Sequence, residues 1–521
     1  MPDNSANNKR IAKNTIVLYV RMIFLILINL YTSRLVLQAL GEDDFGIYNV
    51  VGGFVTMFTI LSGSLSNAIG RFLTFELGKN NFKRLAEVFS TSVTVQILLA
   101  LGIVFIAEII GIWFLNVKMN IPADRMAAAN WVFQCSLVTF AINLVSIPYN
   151  ASIIAHEHMK AFAYISILEM LLKLGVVVLL LFLTSDRLII YGVLLMIVAI
   201  SIRVIYGVYC ARYFVECHYV FIYDKKLVKE MLGLASWNFL GSSGSVLNSH
   251  GVNLLMNLFF GIGVNAARGL AVQVNSAVTQ FVNSFTTAVN PQITKSYAKG
   301  EREYMFNLVY ASSKYSFFMM LLLSVPLIIE APFFLKLWLN QVPEYTILFV
   351  RLTLIAALIS TLSSSLYTLA LATGNIKKYQ LIVGSLSLSC FIITYICYKV
   401  GLAVEYAYYV YIIINILILI GRLKILSNLT GLLIKDFFIK VVFRVLFVSL
   451  LSFSVSYYCY TQFCTASIVN VSIVVFVSAF CTLLTIWFWG LKIKEKEYIY
   501  NIVKNKIKSK NECNSYKRRK K

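Results

Sequence analysis

The sequence predicts an all-α polytopic membrane protein with about 14 transmembrane helices. Three observations carry that expectation. Of the 521 residues, 59% are hydrophobic, and the mean hydropathy is +0.78. Only 13% are charged, roughly half the 25% or so of a soluble domain. The apolar residues also come in runs of about 20 or more, the length a helix needs to cross a bilayer at about 1.5 Å per residue. A transmembrane barrel would give short alternating segments instead.

Met1 to Lys13 is polar and basic, which places it in the cytoplasm. Span 1 covers 15–38. The turn 41–46 (GEDDFG) is acidic and is expected outside. Span 2 (46–70) returns to Arg71, Lys79, Lys83 and Arg84. Spans 3 to 6 are read at 89–115, 127–154, 161–183 and 188–211. A charged loop with Lys225, Lys226 and Lys229 follows. Spans 7 to 12 are read at 232–260, 264–290, 306–330, 346–373, 380–399 and 405–421. Pro332 and Pro343 break the pattern before the tenth. Spans 13 and 14, at 438–461 and 467–490, precede a basic tail. Basic residues gather in alternate loops and in both termini, so both ends are expected inside.

A weak internal repeat underlies this layout. Residues 40–82 match 260–303 in plan, each a Gly-containing turn, a span and a basic loop with Gly. Residues 153–162 match 371–380 at a similar offset of about 220. Six spans per half is an even number, so the halves share one orientation and are expected to relate by a pseudo-two-fold axis along the membrane normal. The expected divisions are an N-terminus (1–14), a six-helix bundle (15–214), a linker (215–231), a second six-helix bundle (232–426), two added helices (427–491) and the tail (492–521).

A net charge of +23 could indicate nucleic acid. That reading fails because the basic residues occupy loops and tail, where topology already requires them. The first apolar run is too long for a cleavable signal peptide. Most of the nine cysteines (Cys135, Cys210, Cys390, Cys397 and Cys481 among them) lie in apolar runs, as small buried hydrophobes do. Cys459 and Cys464 flank an outer loop that leaves room for a disulfide. No P-loop, HExxH, paired-carboxylate motif or nucleophile elbow is present, so neither enzyme chemistry nor a cofactor is expected. His156 and His158 are too close in sequence to share a helix face as metal ligands.

The polar residues inside the spans point to a binding lumen. On span 7, Asn238, Ser242, Ser245, Ser249 and Asn253 fall along one helical face, with His250 beside it. Span 8 carries Arg268, Asn275, Thr279, Thr286 and Asn290, flanked by Gln273, Gln280 and Asn283. Small polar residues also glue membrane helices together, and that reading stands beside the lumen. Arg21 and Arg34 interrupt span 1. An arginine at membrane depth costs at least roughly 2.5–3.5 kcal/mol, so it faces water, a partner or the interface. Glu169 and Lys173 stand i, i+4, as a self-neutralising pair would. Glu108 has no evident local partner and is a candidate for proton or cation coupling. The intramembrane charges are mainly basic, so the expected substrate is an anion, a phosphate or pyrophosphate.

Leu40-Gly41 with Phe45-Gly46-Ile47-Tyr48, then Leu65-Ser66-Asn67-Ala68 with Arg71-Phe72, complete a pattern. It resembles the Wzx-type lipid-linked oligosaccharide flippases, polysaccharide-export members of the MOP superfamily that also holds the MATE drug exporters. The resemblance implies two six-helix bundles in a V around a central cavity. It also implies transfer of an undecaprenyl-diphosphate-linked glycan across the bacterial inner membrane by alternating access. Cationic residues of the first span and lumen (here Arg21, Arg34 and Arg268) would hold the diphosphate. Polysaccharide polymerase and glycosyltransferases would be partners. Two alternatives remain open on the sequence: a MATE-like cation-coupled multidrug exporter, and a membrane scaffold acting through its basic tail.

Overall fold

The structure is a computed structural model that describes residues 5–497, apart from 57–58, 118–120, 184–185, 221–223, 247, 249–250, 261, 339–341, 463–467 and 492–494. The described residues are helical throughout, with no strand. The first half holds α1 (Ser5–Thr56), α2 (Thr59–Gly78), α3 (Phe82–Val117), α4 (Met126–Ala155), α5 (Met159–Phe182) and α6 (Arg187–Tyr213). The second holds α7 (Lys225–Val246), α8 (Val252–Phe260), α9 (Ile262–Ala298), α10 (Arg302–Ile329), α11 (Ala331–Trp338), α12 (Thr346–Thr361), α13 (Ser364–Thr373), α14 (Lys377–Lys399) and α15 (Tyr406–Thr430). The short α16 (Ile434–Phe437) leads into α17 (Phe443–Gln462) and α18 (Ile468–Thr485), which pack on α10.

Several boundaries differ from the sequence expectation. The turn expected at 41–46 is helical except at Gly41, whose φ of 80° breaks α1 into two. Glycine alone adopts that conformation without strain, so the chain reverses on one residue instead of six. The eighth span runs on to Ala298 and carries Pro291 inside it. The seventh span is carried by α7, to Val246, and α8, from Val252; between them Asn248 and Gly251 are π-helical. A π turn shifts the helical register, so the spacing that aligned Asn238 with Asn253 is offset across it.

Eleven helices among the described residues are long and apolar enough to cross a membrane. The three remaining expected spans are α2, α7 with α8, and α9, which complete the fourteen. These three are rich in Ser, Asn, Gln and Thr, and α2 packs on both α7 and α9. The least apolar spans are thus those that meet between the halves.

The loops sort by end. At the acidic end, Arg125 pairs with Asp44 through its Nε at 2.9 Å and with Asp186 at 2.9 Å. That clasp brings three loops of the first half to one side. At the basic end, Arg84 pairs with Asp224 at 2.9 Å, His156 with Glu216 at 2.5 Å, and Arg302 donates to the Thr430 carbonyl at 3.3 Å. The repeat is also visible in contact. Gly78 and Ala298 stand about 220 residues apart, and a Cβ on Gly78 would lie 2.9 Å from that of Ala298. Equivalent residues touch each other only near the axis that relates them.

Candidate functional site

The halves join at the basic end. Leu18 of α1, Met159 of α5 and Ala288 of α9 form one small apolar cluster. Tyr19 donates to Met319 Sδ at 2.8 Å and lies 6.1 Å from the Phe281 ring. Phe75 meets Tyr297 at 6.5 Å between ring centroids.

At the centre of this closure is Glu157, in the turn between α4 and α5. Its carboxylate is fully buried. It accepts from Arg10 Nε at 2.8 Å, Lys295 Nζ at 2.6 Å, and Gln292 Nε2 at 2.7 Å to each oxygen. Asn14 donates to its carbonyl at 3.4 Å. Arg10 is on α1; Gln292 and Lys295 are on α9, so one acid binds both halves. Glu157 holds a left-handed φ of 61°, a conformation that costs a residue other than glycine about 1–3 kcal/mol. The four donors keep it there.

On α9, Gln273, Ser276, Ala277, Gln280 and Asn283 are exposed, and they recur along one helical face. The opposite face of α9 (Ala267, Ala271, Val278, Val282, Phe285 and Val289) is buried in the second half. Along α1, Val20, Phe24, Leu27 and Tyr31 are also exposed. An amide-bearing face of α9 and an aromatic and aliphatic face of α1 are thus both exposed.

The residues singled out in the sequence take different places. Arg21 lies 4.3 Å from the Phe162 ring centroid, in electrostatic reach of Tyr206 and Glu169, so its neighbours belong to the first half. Arg268 reaches Met256 Sδ at 3.7 Å, the Asn248 carbonyl at 3.4 Å and the Tyr408 ring at 6.0 Å, inside the second half. In both, an aromatic face or sulfur accommodates the guanidinium. Asn238 is fully buried and accepts from Gln380 at 2.7 Å and Tyr367 at 3.4 Å. Tyr367 also bonds Asn67 of α2. Asn238 therefore links helices, as the alternative reading of its type allowed. Asn275 and Thr279 are half-buried and bonded to each other, and Asn253 is half-buried. The side chains of Arg34, Ser242 and Ser245 are not among those described, and Ser249 and His250 lie outside the described residues, as does Cys464.

Glu108 does have a partner: Gln134 of α4 donates to it at 3.0 Å. A partner on a neighbouring helix leaves no trace in local spacing. Glu169 and Lys173 pair at 2.6 Å as their spacing indicated. His156 and His158 sit in the turn after α4, bonded to Glu216 and to Tyr209. Among the described residues no cluster of His, Cys, Asp and Glu is placed to hold a metal ion. Sequence reasoning passed over Glu157, Gln292 and Lys295. Its one available signal was a lone acid among basic residues at the repeat-matched turn.

Residues 11–297 match the model of the family described as polysaccharide biosynthesis protein. The chain belongs to this family. No curated protein matches the chain. Among solved structures, a MATE protein in complex with MaD3S is similar at a TM-score of 0.71 and 13% identity, covering 81% of this chain and 97% of that one. An outward-facing multidrug resistance MATE family transporter of the MOP superfamily is similar at 0.70 and 13%, covering 81% and 96%. A MOP superfamily transporter from Pyrococcus furiosus is similar at 0.69 and 13%, covering 80% and 96%. At such identities the likeness is one of fold, and the fold of this polysaccharide biosynthesis family member is that of a MOP-type membrane transporter.

Proposed function

We propose that the protein is a flippase for an undecaprenyl-diphosphate-linked oligosaccharide repeat unit, the precursor of an O-antigen, capsule or exopolysaccharide. In this reading the basic end is cytoplasmic, both termini included, and the membrane is the bacterial inner membrane. The unit travels from the cytoplasmic to the periplasmic leaflet by alternating access. In this reading the contacts of Glu157 with Arg10, Gln292 and Lys295 shut the cytoplasmic side.

The observation that carries this reading is the exposed stripe Gln273, Gln280 and Asn283 on α9. Carboxamides both donate and accept, which suits sugar hydroxyls of varied orientation. The family match to polysaccharide biosynthesis supports the same cargo. The polyprenyl chain stays in lipid while the glycan rides the cleft. Arg21, Arg34 and Arg268 are the candidates for the diphosphate; α1, which carries the first two, also forms a wall of the cleft. Moving a dianion outward down a 100 mV inside-negative potential is favourable by roughly 5 kcal/mol, which supports direction without a coupled ion. Glycosyltransferases that build the unit and a polymerase that consumes it are the implied partners.

A cation-coupled multidrug exporter is the second reading, favoured by the MATE-like fold. Such an exporter needs carboxylates free to bind the cation. Glu108 is held by Gln134 and Glu169 by Lys173, which weighs against it. The test is reconstitution in vesicles with an undecaprenyl-diphosphate-linked saccharide, read by a membrane-impermeant glycosidase. Protein-dependent transfer between leaflets is expected. Transfer of a cationic drug against a gradient, with the lipid-linked sugar left in place, would sink the flippase reading.

A further inference from the structure

A second polar hollow lies at the basic end, off the cleft. A cavity of about 410 Å³ opens between the end of α2, the start of α7 and the turn joining α13 to α14. Arg71, Lys229 and Lys377 line it against a single carboxylate, Glu230. Lys229, Gly233 and Trp237 recur every fourth residue of α7, so one helical face forms a wall.

Arg71 is held in place with donors to spare. Its guanidinium lies 4.5 Å from the Phe75 ring centroid and 4.8 Å from that of Phe72. One arm donates to the Ala372 carbonyl at 3.2 Å. Its Nε is buried and has no hydrogen-bond partner. Gly374, at φ 75°, passes beside it, and a Cβ there would come within 2.6 Å of Arg71 Nη2. Two residues on, α14 begins behind Ile376 with no side-chain cap. An uncapped helix start offers free N–H groups and a partial positive charge. Lys377 opens that helix and lies 5.3 Å from the Trp237 ring centroid. A planar guanidinium, two ammonium groups and a helix N-terminus thus converge on one hollow, an arrangement suited to phosphate oxygens. Leu240 of α7 and Leu381 of α14, just along the two helices that line the hollow, are about half exposed.

We propose that this cavity binds a phosphate or diphosphate headgroup on the cytoplasmic side, before the cleft opens to it. Leu240 and Leu381 point to a lipid as its source, the tail running down these two helices. The side of the membrane and the sequel of transport rest on the flippase reading; the binding itself does not.

The test is calorimetric titration of the purified full chain with inorganic pyrophosphate, farnesyl diphosphate and farnesol. Farnesyl diphosphate is expected to bind, farnesol not, and Arg71→Ala or Lys377→Glu to weaken binding at least about tenfold. Lys377 is exposed, so its variant keeps the fold even if Arg71→Ala loses it. Tighter binding of farnesyl diphosphate than of pyrophosphate identifies a lipid headgroup. Equal affinity for the two identifies a free anion and overturns the lipid source, although the phosphate chemistry stands. Binding that is absent, or indifferent to Lys377→Glu, overturns the site. A Lys377→Glu variant that binds no diphosphate yet flips lipid-linked sugar at the normal rate contradicts its place in transport and spares the flippase reading. Site-dependent binding without any flipping does the reverse.

Discussion

At the scale of single residues, Glu157 decides most. It is the one acid in contact with Arg10, Lys295 and Gln292, and it is completely buried. Arg10 is half exposed, so its pairing with Glu157 is screened by water and contributes little; the buried Lys295 pair dominates. Removing the acid leaves an ammonium without a counter-charge, at a cost of about 3 kcal/mol to the closed arrangement, or roughly a hundredfold in its population. Glu157→Gln is therefore expected to expose the basic end. A cysteine placed at Ala288 checks it: labelling by a water-soluble maleimide should quicken in the Glu157→Gln background, and an unchanged rate would refute the closure. Asp224 gives a pH signature. It caps α7 through the Lys226 and Leu227 amides and pairs with Arg84, which together hold its carboxyl below its usual 3.8. Its contribution is thus fully present above about pH 3.8 and is lost as pH falls through the lower folded value. Asp224→Asn should lower the unfolding temperature at pH 7, and its difference from the parent should shrink in acid below that range. The Asp224 cap is local, but the contacts of Glu157 and the Arg84–Asp224 pair could not be read from spacing, because each joins residues far apart in the chain.

At the scale of elements, composition was the better guide. The long apolar runs are helices, and the two spans flagged as unusually polar are α7 with α8, and α9. What local pattern missed was which face of α9 looks outward. The residues marked as principal, Asn275 and Thr279, are half-buried, and those marked as flanks, Gln273, Gln280 and Asn283, are exposed. A helical wheel sorts residues into faces but does not say which face meets a neighbour. The π-helical turn at Asn248 and Gly251 likewise left no mark in the local pattern. The exposed stripe predicts accessibility. Single cysteines at Gln273, Gln280 and Asn283 should react with an impermeant maleimide added from the periplasmic side, and one at Val278, which is buried, should not. Uniform protection of all four would deny the open cleft. The α7–α14 contact offers a contrast: Asn238→Leu strands the amide of Gln380 and should cost about 1–3 kcal/mol of stability without altering those labelling rates.

At the scale of the whole molecule, Gly78 and Ala298, about 220 residues apart, touch, as an axis between two matched halves would have them. Alternating access needs two closures that exclude each other, and Glu157 with its donors makes one at the basic end. The most direct test places spin labels in two pairs on the purified protein. One pair, Asn80 and Lys299, spans the halves at the basic end; the other, Asp124 and Glu344, spans them at the acidic end, and all four positions are exposed. On adding an undecaprenyl-diphosphate-linked saccharide, the Asn80–Lys299 distance is expected to lengthen in part of the population while the Asp124–Glu344 distance shortens in the same part. Distances that stay fixed with substrate bound, or that lengthen together at both ends, would contradict a rocking exchange about a closed basic end.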